Sequence, residues 1–329
     1  MVELPMMGEA VTEETVSEEA AVGAAVSRQA AVEAAAVEAA AVEAAVDGSA
    51  SGEHRSGGPH PDLAQLSTVR VDRPRPGVAL VRLHRPERLN ALDRRMLGEL
   101  RTVAERLAED SSVRAVVLTG TGRGFCSGYD LDGAAEFPAL GATGGLALQD
   151  LANRMLLALH TLPQPLLAAV GGPAIGGGVS LALVADIRTV ALDAYFQVAF
   201  VRIGMSGGDL GASWLLPRIV GRGLAAELMY TARPVGAEEA VRIGLANRAV
   251  PADRLLAETL DLAGQIAAHP PLGVQLSKRA LAASTDAPSL WSALETEARG
   301  QALLMGHPDT AAAVASLRAS LAATRAAGT

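Results

Sequence analysis

Short apolar runs alternate with longer amphipathic segments through most of the chain beyond residue 65. STVRVDR and VALVRL flank a Pro-Arg-Pro-Gly turn and predict a β-hairpin. RAVVLTG and LLAAVGG each predict a buried strand that ends in glycine and leads into a turn and a helix. Between them and the hairpin, apolar residues recur at the spacing of a helix: Leu92, Met96, Leu100, Val103 and Leu107. The alternation predicts an α/β fold, whose ligands bind at the carboxyl ends of the strands.

Residues 1–62 have a different pattern. AVEAA occurs three times between residues 31 and 45, but a five-residue step rotates too far around a helix to align the valines in one apolar stripe. A Gly/Ser/His/Pro mixture follows, which favours a flexible linker. We therefore predict a low-complexity Ala/Glu-rich extension and linker over residues 1–62, disordered or partly helical, with a docking or targeting role as the alternative. Residues 63–329 form the second domain, with C-terminal helices from about residue 253.

Composition narrows the possible partners. The net charge of −8 disfavours binding to nucleic acid or to anionic membranes, because both require a basic surface. A single cysteine, Cys126, allows no internal disulfide, which fits a reducing compartment. The acidic start resembles neither a signal peptide nor a transit peptide, and no apolar stretch is long enough to span a bilayer. These features predict a cytoplasmic protein.

Two glycine-rich turns follow the two predicted buried strands: GFCSGYDL at residues 124–131 and GGPAIGGGVS at residues 171–180. Small residues leave main-chain N–H groups accessible, so two such turns can donate to one ligand oxygen. Enolate formation on a thioester places negative charge on that oxygen, and each preorganised donor is typically worth about 3 kcal/mol. Taken singly, either turn is explained as a tight strand-to-helix connection, and neither has the spacing of a nucleotide-binding motif.

Four segments together resemble the enoyl-CoA hydratase/isomerase, or crotonase, family in their order and spacing: LHRPERLNALDRRM, VRAVVLTGTGRGFCSGYDL, AAVGGPAIGGGVSLALVADIR and GASWLLPRIVG. The resemblance covers roughly residues 66–285. It implies a crotonase-like spiral of ββα units with a C-terminal helical region, assembled as a homotrimer or homohexamer. It also implies an acyl-CoA thioester as substrate, with no metal and no cofactor.

The resemblance also implies roles for individual residues. The family's two oxyanion-hole amides fall on Tyr129 and Gly177, and its CoA-contacting loop falls on Arg88, Leu89 and Ala91. Other residues in and after the two turns are predicted to line the substrate site: Ser127, Gly128, Asp130, Leu131, Gly176, Ser180 and Phe200.

The chain departs from the family where hydratases carry two catalytic glutamates. Those positions are Ser180 and Phe200 here, and neither side chain exchanges protons near pH 7 as a carboxylate does. Asp209 precedes Leu-Pro-Arg at the spacing seen in dienoyl-CoA isomerases, so it is the candidate base. The alternative for Asp209 is a purely structural role as the N-cap of the helix that begins in GASWLL.

We therefore predict isomerisation or hydration of an enoyl-CoA. A non-catalytic acyl-CoA binder or scaffold is the main alternative, because both glutamates are missing. A serine hydrolase is a lesser one: Ser206 lies in a GxSxG motif, and Asp253 or Asp261 with His269 or His307 follow in the required order, but no HGGG-like segment precedes them.

Overall fold

The computed structural model describes residues 63–134 and 137–327, so the predicted extension at residues 1–62 lies outside the described part. Within these residues the strands are β1 (Val69–Arg75), β2 (Val78–Leu83), β3 (Ala115–Gly120), β4 (Leu166–Val170), β5 (Pro173–Ile175), β6 (Ile187–Ala191), β7 (Tyr195–Gln197), β8 (Val235–Gly236) and β9 (Arg248–Val250). The helices are α1 (Arg94–Glu109), α2 (Leu131–Ala134), α3 (Phe137–His160, broken at Gly141), α4 (Gly177–Leu183), α5 (Ala212–Val220), α6 (Arg222–Thr231), α7 (Ala237–Arg242), α8 (Leu255–Ala267), α9 (Pro271–Thr285), α10 (Leu290–Met305) and α11 (Pro308–Ala327).

Two sheets carry the fold. The larger has the order β1-β2-β3-β4-β6-β9, and the smaller has the order β5-β7-β8. In the larger sheet β1 and β2 form the predicted antiparallel hairpin, while every other neighbouring pair is parallel. Every residue of β4 is buried, and so is every residue of β3 except the last, as expected for parallel strands covered on both faces. Since β3 and β4 are parallel, the two glycine turns leave the sheet at the same edge.

Helix α1 confirms the predicted periodicity with one exception. Met96 and Leu100 are fully buried on its inner face, which packs against α3. Leu92 lies outside the helix, because Asp93 is the N-cap and accepts a hydrogen bond of 2.7 Å from the Met96 N–H. Leu92 instead forms an isolated parallel bridge with Tyr129. Leu92, which the spacing assigned to the helix, thus contacts the first glycine turn.

The C-terminal helical region begins at Leu255, close to the predicted residue 253. Helix α8 packs against the larger sheet. Helices α9 and α10 have no buried residue in the described part of the chain. Several large apolar side chains of the last three helices are exposed: Leu281, Leu290, Trp291, Leu303, Met305 and Leu317. None of the helices in residues 63–134 and 137–327 combines the length and the apolar character needed to cross a membrane.

Candidate active site

The structure brings the two glycine turns into direct contact. The Cys126 N–H donates to Pro173 O at 3.1 Å, and the Ile175 N–H donates to Cys126 O at 2.9 Å. Gly128 has a φ of +89°, and a methyl group placed on it would lie 2.8 Å from Ile175 O. A methyl group on Gly178 would lie only 2.1 Å from Cys126 O. Only glycine fits at these two positions, because backbone occupies the space that a side chain needs.

Tyr129 and Gly177 lie on either side of this contact. The Leu92 N–H donates to Gly128 O at 2.7 Å, and the Asp130 N–H donates to Leu92 O at 3.0 Å. In this parallel bridge the residues that flank Tyr129 make the hydrogen bonds, so the Tyr129 N–H points away from Leu92. Gly177 is the first residue of α4, where an N–H has no acceptor within the helix. Neither N–H donates to any residue in the described ranges.

Asn90 holds the preceding loop against the first glycine turn, and the sequence motifs did not identify it. The side chain is fully buried. Its Nδ2 donates to Thr121 O at 2.9 Å and to Gly124 O at 2.8 Å, while its Oδ1 accepts from the Arg85 N–H at 3.0 Å. Its φ of +58° is a conformation that Asn adopts more readily than most residues, which is the signal that could have pointed to it.

The predicted CoA loop lies beside Asn90. Ser127 joins it to the first turn, since its N–H donates to Leu89 O at 3.0 Å and its hydroxyl donates to Arg88 O at 3.2 Å. Arg88 is half-exposed and forms an ion pair with Asp132. Ala91 is buried, with 6% of its surface exposed. The loop thus presents the Arg88 guanidinium to solvent and keeps Ala91 inside.

Asp130 and Leu131 differ in their surroundings. Asp130 accepts a hydrogen bond of 2.8 Å from Arg85 Nη2. Burial raises the pKa of Asp130, but the hydrogen bonds and the charge of Arg85 outweigh burial and hold this pKa below its usual value. Asp130 is therefore an ionised partner that fixes the turn. Leu131 is 64% exposed and contributes nothing to the core.

Ser180 is the last residue of the second glycine turn, and Phe200 packs beside that turn. Ser180 is fully buried on α4, and its hydroxyl donates to Asp209 O at 3.4 Å. Phe200 begins a short 3₁₀ helix, and its ring lies 3.6 Å from where a methyl group on Gly176 would be. Neither residue places a titratable group next to the turn.

Asp209 supplies a carboxylate near the second glycine turn. Leu210, the next residue, has its Cδ1 atom 3.1 Å from where a methyl group on Gly177 would be. Asp209 Oδ1 accepts from the Leu210 N–H at 2.8 Å, whereas Oδ2 is buried without a hydrogen-bond partner among the described residues. The N-cap alternative is wrong: α5 begins at Ala212, its N-cap is Gly211, and no side chain caps it.

At this site the Tyr129 phenol is another buried polar group without a hydrogen-bond partner among the described residues. Its hydroxyl makes no hydrogen bond within residues 63–134 and 137–327, and its ring stacks edge-to-face on Phe137 with centroids 6.4 Å apart. Burial and then the charge of Asp209 raise the Tyr129 pKa, although the nearby Gln149 side chain lowers it. Burial also raises the Asp209 pKa, more than the Leu210 N–H and Gln149 lower it. The site thus favours a neutral phenol beside a carboxyl group of raised basicity.

Gln149 on α3 was also missed by the sequence motifs. Its side-chain amide lies next to both groups, but it forms no hydrogen bond of normal geometry with Tyr129 Oη or Asp209 Oδ2. No motif marks it, because it is one polar residue in a mostly apolar helix.

A cavity of about 270 Å³ opens beside Tyr129. Its lining combines apolar and charged side chains: Leu92, Leu97, Phe137, Leu140 and Leu148 are apolar, and Asp93, Arg94, Arg95 and Asp130 are charged. The described ranges contain no cluster of three or more His, Cys, Asp and Glu side chains that could hold a metal ion.

The serine-hydrolase alternative finds no support in the geometry. Ser206 is exposed, and its Oγ accepts from the Gly208 N–H at 3.1 Å. Asp261 forms an ion pair with an arginine at the end of β1, and His307 Nδ1 lies 3.7 Å from the carboxylate two residues further on. Among the described residues no histidine forms a hydrogen bond with Ser206, so the triad is not assembled.

The sequence matches a known protein family over most of its length. A model of the family "Enoyl-CoA hydratase/isomerase" matches residues 73–315. The chain belongs to the enoyl-CoA hydratase/isomerase family, and this confirms the resemblance carried by the four sequence segments.

Individual relatives agree with this assignment. A probable enoyl-CoA hydratase of Mycobacterium leprae is 44% identical over 73% of this chain and 83% of its own length. The crystal structure of a putative enoyl-CoA hydratase from Streptomyces coelicolor is 37% identical, covers 82% of this chain and 97% of its own, and superposes with a TM-score of 0.76. The structure of a monofunctional enoyl-CoA isomerase from Mycobacterium smegmatis is 42% identical, covers 69% and 98%, and has a TM-score of 0.59. The crotonase-like α/β fold is thereby confirmed.

Proposed function

We propose that this protein shifts the double bond of an enoyl-CoA thioester. The main-chain N–H groups of Tyr129 and Gly177 donate to the thioester oxygen, and the Asp209 carboxylate removes a proton from the acyl chain. The observation that carries the proposal is the buried Asp209 carboxylate, which has no partner at Oδ2 among the described residues, acts on Tyr129 through its charge, and precedes the Leu210 side chain that packs beside Gly177.

The two N–H groups support enolate stabilisation because both are free and both belong to turns that touch. Removing a proton next to a thioester carbonyl moves negative charge onto its oxygen. Donors that are already in place need no reorganisation as this charge develops, and each is typically worth about 3 kcal/mol. The cavity beside Tyr129, whose lining includes Leu97, Phe137 and Leu140, offers room for the acyl chain.

The proton-transfer groups favour isomerisation over the usual hydration. Hydration requires one group to activate water and another to protonate the α-carbon, a task for two carboxylates in the family. Here Ser180 and Phe200 stand at those positions. A double-bond shift instead requires removal of one proton and delivery of another along the same chain, which a single carboxylate can start. The solved isomerase from M. smegmatis supports the same choice, while the M. leprae relative is named a hydratase.

We further propose that the protein assembles as a homotrimer or homohexamer, as the family resemblance implies. The exposed apolar side chains of α9–α11, Trp291 at 70% among them, support this assembly.

The test is to incubate the protein in deuterated water with 2-enoyl-, 3-enoyl- and dienoyl-CoA esters and to follow the products by mass spectrometry. We expect a shifted double bond with deuterium in the acyl chain. Asp209→Asn should lower this rate by about 100-fold or more, because the base is lost. Asp150→Asn, a change at an exposed carboxylate on α3, is the matched control and should keep the rate of the unmodified protein.

Other results would contradict the proposal. A gain of one water without a double-bond shift would establish hydration instead. Binding of every ester without exchange or conversion would establish the non-catalytic acyl-CoA binder. An Asp209→Asn variant with full activity would remove Asp209 from the mechanism.

A further inference from the structure

The oxyanion role proposed for Tyr129 uses only its backbone N–H and leaves its side chain without a task. The phenol nevertheless ends inside the protein, close enough to Asp209 for the charge of that carboxylate to act on it, and neither Tyr129 Oη nor Asp209 Oδ2 has a hydrogen-bond partner of normal geometry among the described residues. Leaving a buried donor or acceptor without a partner costs free energy, so most such groups in folded proteins are paired. A ligand that enters from the cavity beside Tyr129 would supply partners for both groups.

The two groups have complementary proton chemistry. The phenol keeps its proton at neutral pH, because burial and the charge of Asp209 raise its pKa. It is therefore present in its O–H form, and although the raised pKa makes it a weak acid, it can protonate a strongly basic carbanion. The carboxyl group is more basic than an ordinary aspartate, because burial raises its pKa as well. It can therefore accept a proton. Tyr129 is also one of the residues that line the cavity proposed for the acyl chain.

We propose that the Tyr129 hydroxyl is the acid that completes the double-bond shift begun by Asp209. Asp209 takes a proton from the α-carbon of a 3-enoyl-CoA, and the electron pair moves onto the thioester oxygen. The Tyr129 hydroxyl then protonates the γ-carbon, which forms the 2-enoyl-CoA and leaves a phenolate. The protonated Asp209 returns its proton to this phenolate, so both groups regain their starting states. This inference rests on the proposed function and adds a second catalytic side chain to it.

Tyr129→Phe separates the side chain from the backbone. It removes one hydroxyl and keeps the N–H, the backbone and the ring that stacks on Phe137. In deuterated water we expect the variant to keep exchanging the α-proton of a 3-enoyl-CoA, because Asp209 still removes it and returns a deuteron. The double-bond shift should fall about 100-fold, with little change in KM. The ratio of exchange to isomerisation should therefore rise in the variant.

The controls cover the fold and the base. Tyr230→Phe removes an equivalent hydroxyl from a side chain that is 77% exposed, and it should leave both rates unchanged. Asp209→Asn should lower exchange and isomerisation together. Circular dichroism and thermal unfolding of Tyr129→Phe should match the unmodified protein.

Three outcomes would overturn the inference. A Tyr129→Phe variant that isomerises at the normal rate has no need of the hydroxyl. Equal losses of exchange and isomerisation would show that the phenol only positions or supports Asp209. Absence of both activities in the unmodified protein would refute the proposed function itself, and the inference with it.

Discussion

At the scale of single residues, the site contains two aspartates whose pKa values shift in opposite directions. The Asp130 carboxylate is held in its ionised form by Arg85, so it serves the structure of the turn. Among the described residues the Asp209 carboxyl group accepts one N–H at Oδ1 and none at Oδ2, and burial penalises its charge. Two aspartates close to one site thus differ in basicity because of their partners, and only Asp209 is suited to accept a proton near neutral pH.

The raised pKa of Asp209 predicts that Asp209→Asn stabilises the protein while it lowers activity. Below the ordinary aspartate pKa of 3.8 the carboxyl group is protonated in both the folded and the unfolded state, and it does not penalise folding. As pH rises through the higher folded-state pKa, the unmodified protein must ionise a buried group and loses stability. The Tm difference between variant and unmodified protein should therefore grow as pH rises above 3.8 and level off once pH exceeds the folded-state pKa.

Thermal unfolding of both proteins across this pH range measures that difference. Asp150→Asn, at an exposed position, should show no such growth. A difference that shrinks as pH rises would mean that the folded state favours the ionised Asp209, contrary to its burial.

At the scale of elements, the short helix α4 connects the core to the site. Its first residue is Gly177, and Gly178 sits against the Cys126 carbonyl. Near its other end, Arg188 on β6 donates from Nη1 to Ala185 O at 2.5 Å and from Nε to Leu245 O at 2.6 Å. A backbone contact thus holds the start of the helix, and the Arg188 side chain holds the segment that follows its end. The position of the Gly177 N–H depends on these contacts.

Gly178→Ala should destabilise the protein, whereas Gly98→Ala should stabilise it. Both glycines lie in helices, but a methyl group on Gly178 would meet Cys126 O at 2.1 Å, and one on Gly98 meets nothing within 4 Å. We expect a loss of about 2–3 kcal/mol in the free energy of unfolding for the first. The second should gain about 0.5–1 kcal/mol, because alanine favours the helix.

Urea denaturation of the two variants measures both changes. Similar stabilities would mean that the contact between the two glycine turns is looser than the structure shows. The Gly178 variant should also lose isomerase activity, since the turns can no longer approach each other.

At the scale of the whole molecule, the last three helices cover little of the core. Their exposed apolar side chains form a surface of the kind that subunit interfaces bury, and helix α8, just before them, already packs on the sheet. Although α9 has no buried residue, Lys278 connects this helix to the core. Its Nζ donates to Gln164 O at 3.0 Å and lies 2.8 Å from Asp186 Oδ2. Within residues 63–134 and 137–327, the C-terminal helices are thus anchored but not buried.

This surface predicts that the protein is not monomeric. Light scattering after size-exclusion chromatography should give about three or six times the chain mass of 33.6 kDa. Trp291→Asp should lower this mass, because it places a charge on the exposed apolar surface of α10. A mass of one chain for the unmodified protein would contradict the proposed assembly. Arg299→Asp, on the same helix at a polar, exposed position, is the control and should keep the assembly.

The sequence by itself determined the family, the hairpin, the two buried strands and the glycine turns. Each of these depends on a local pattern: apolar runs, turn residues, or glycines that a tight backbone contact requires. Only the tertiary structure decided which groups are left without partners. It showed that Asp209 does not cap α5 and that its charge acts on the Tyr129 phenol. It also showed that Asn90 holds the first glycine turn and that Gln149 lies beside Tyr129 and Asp209. Burial and pairing depend on residues far apart in the chain, so no local pattern contains them.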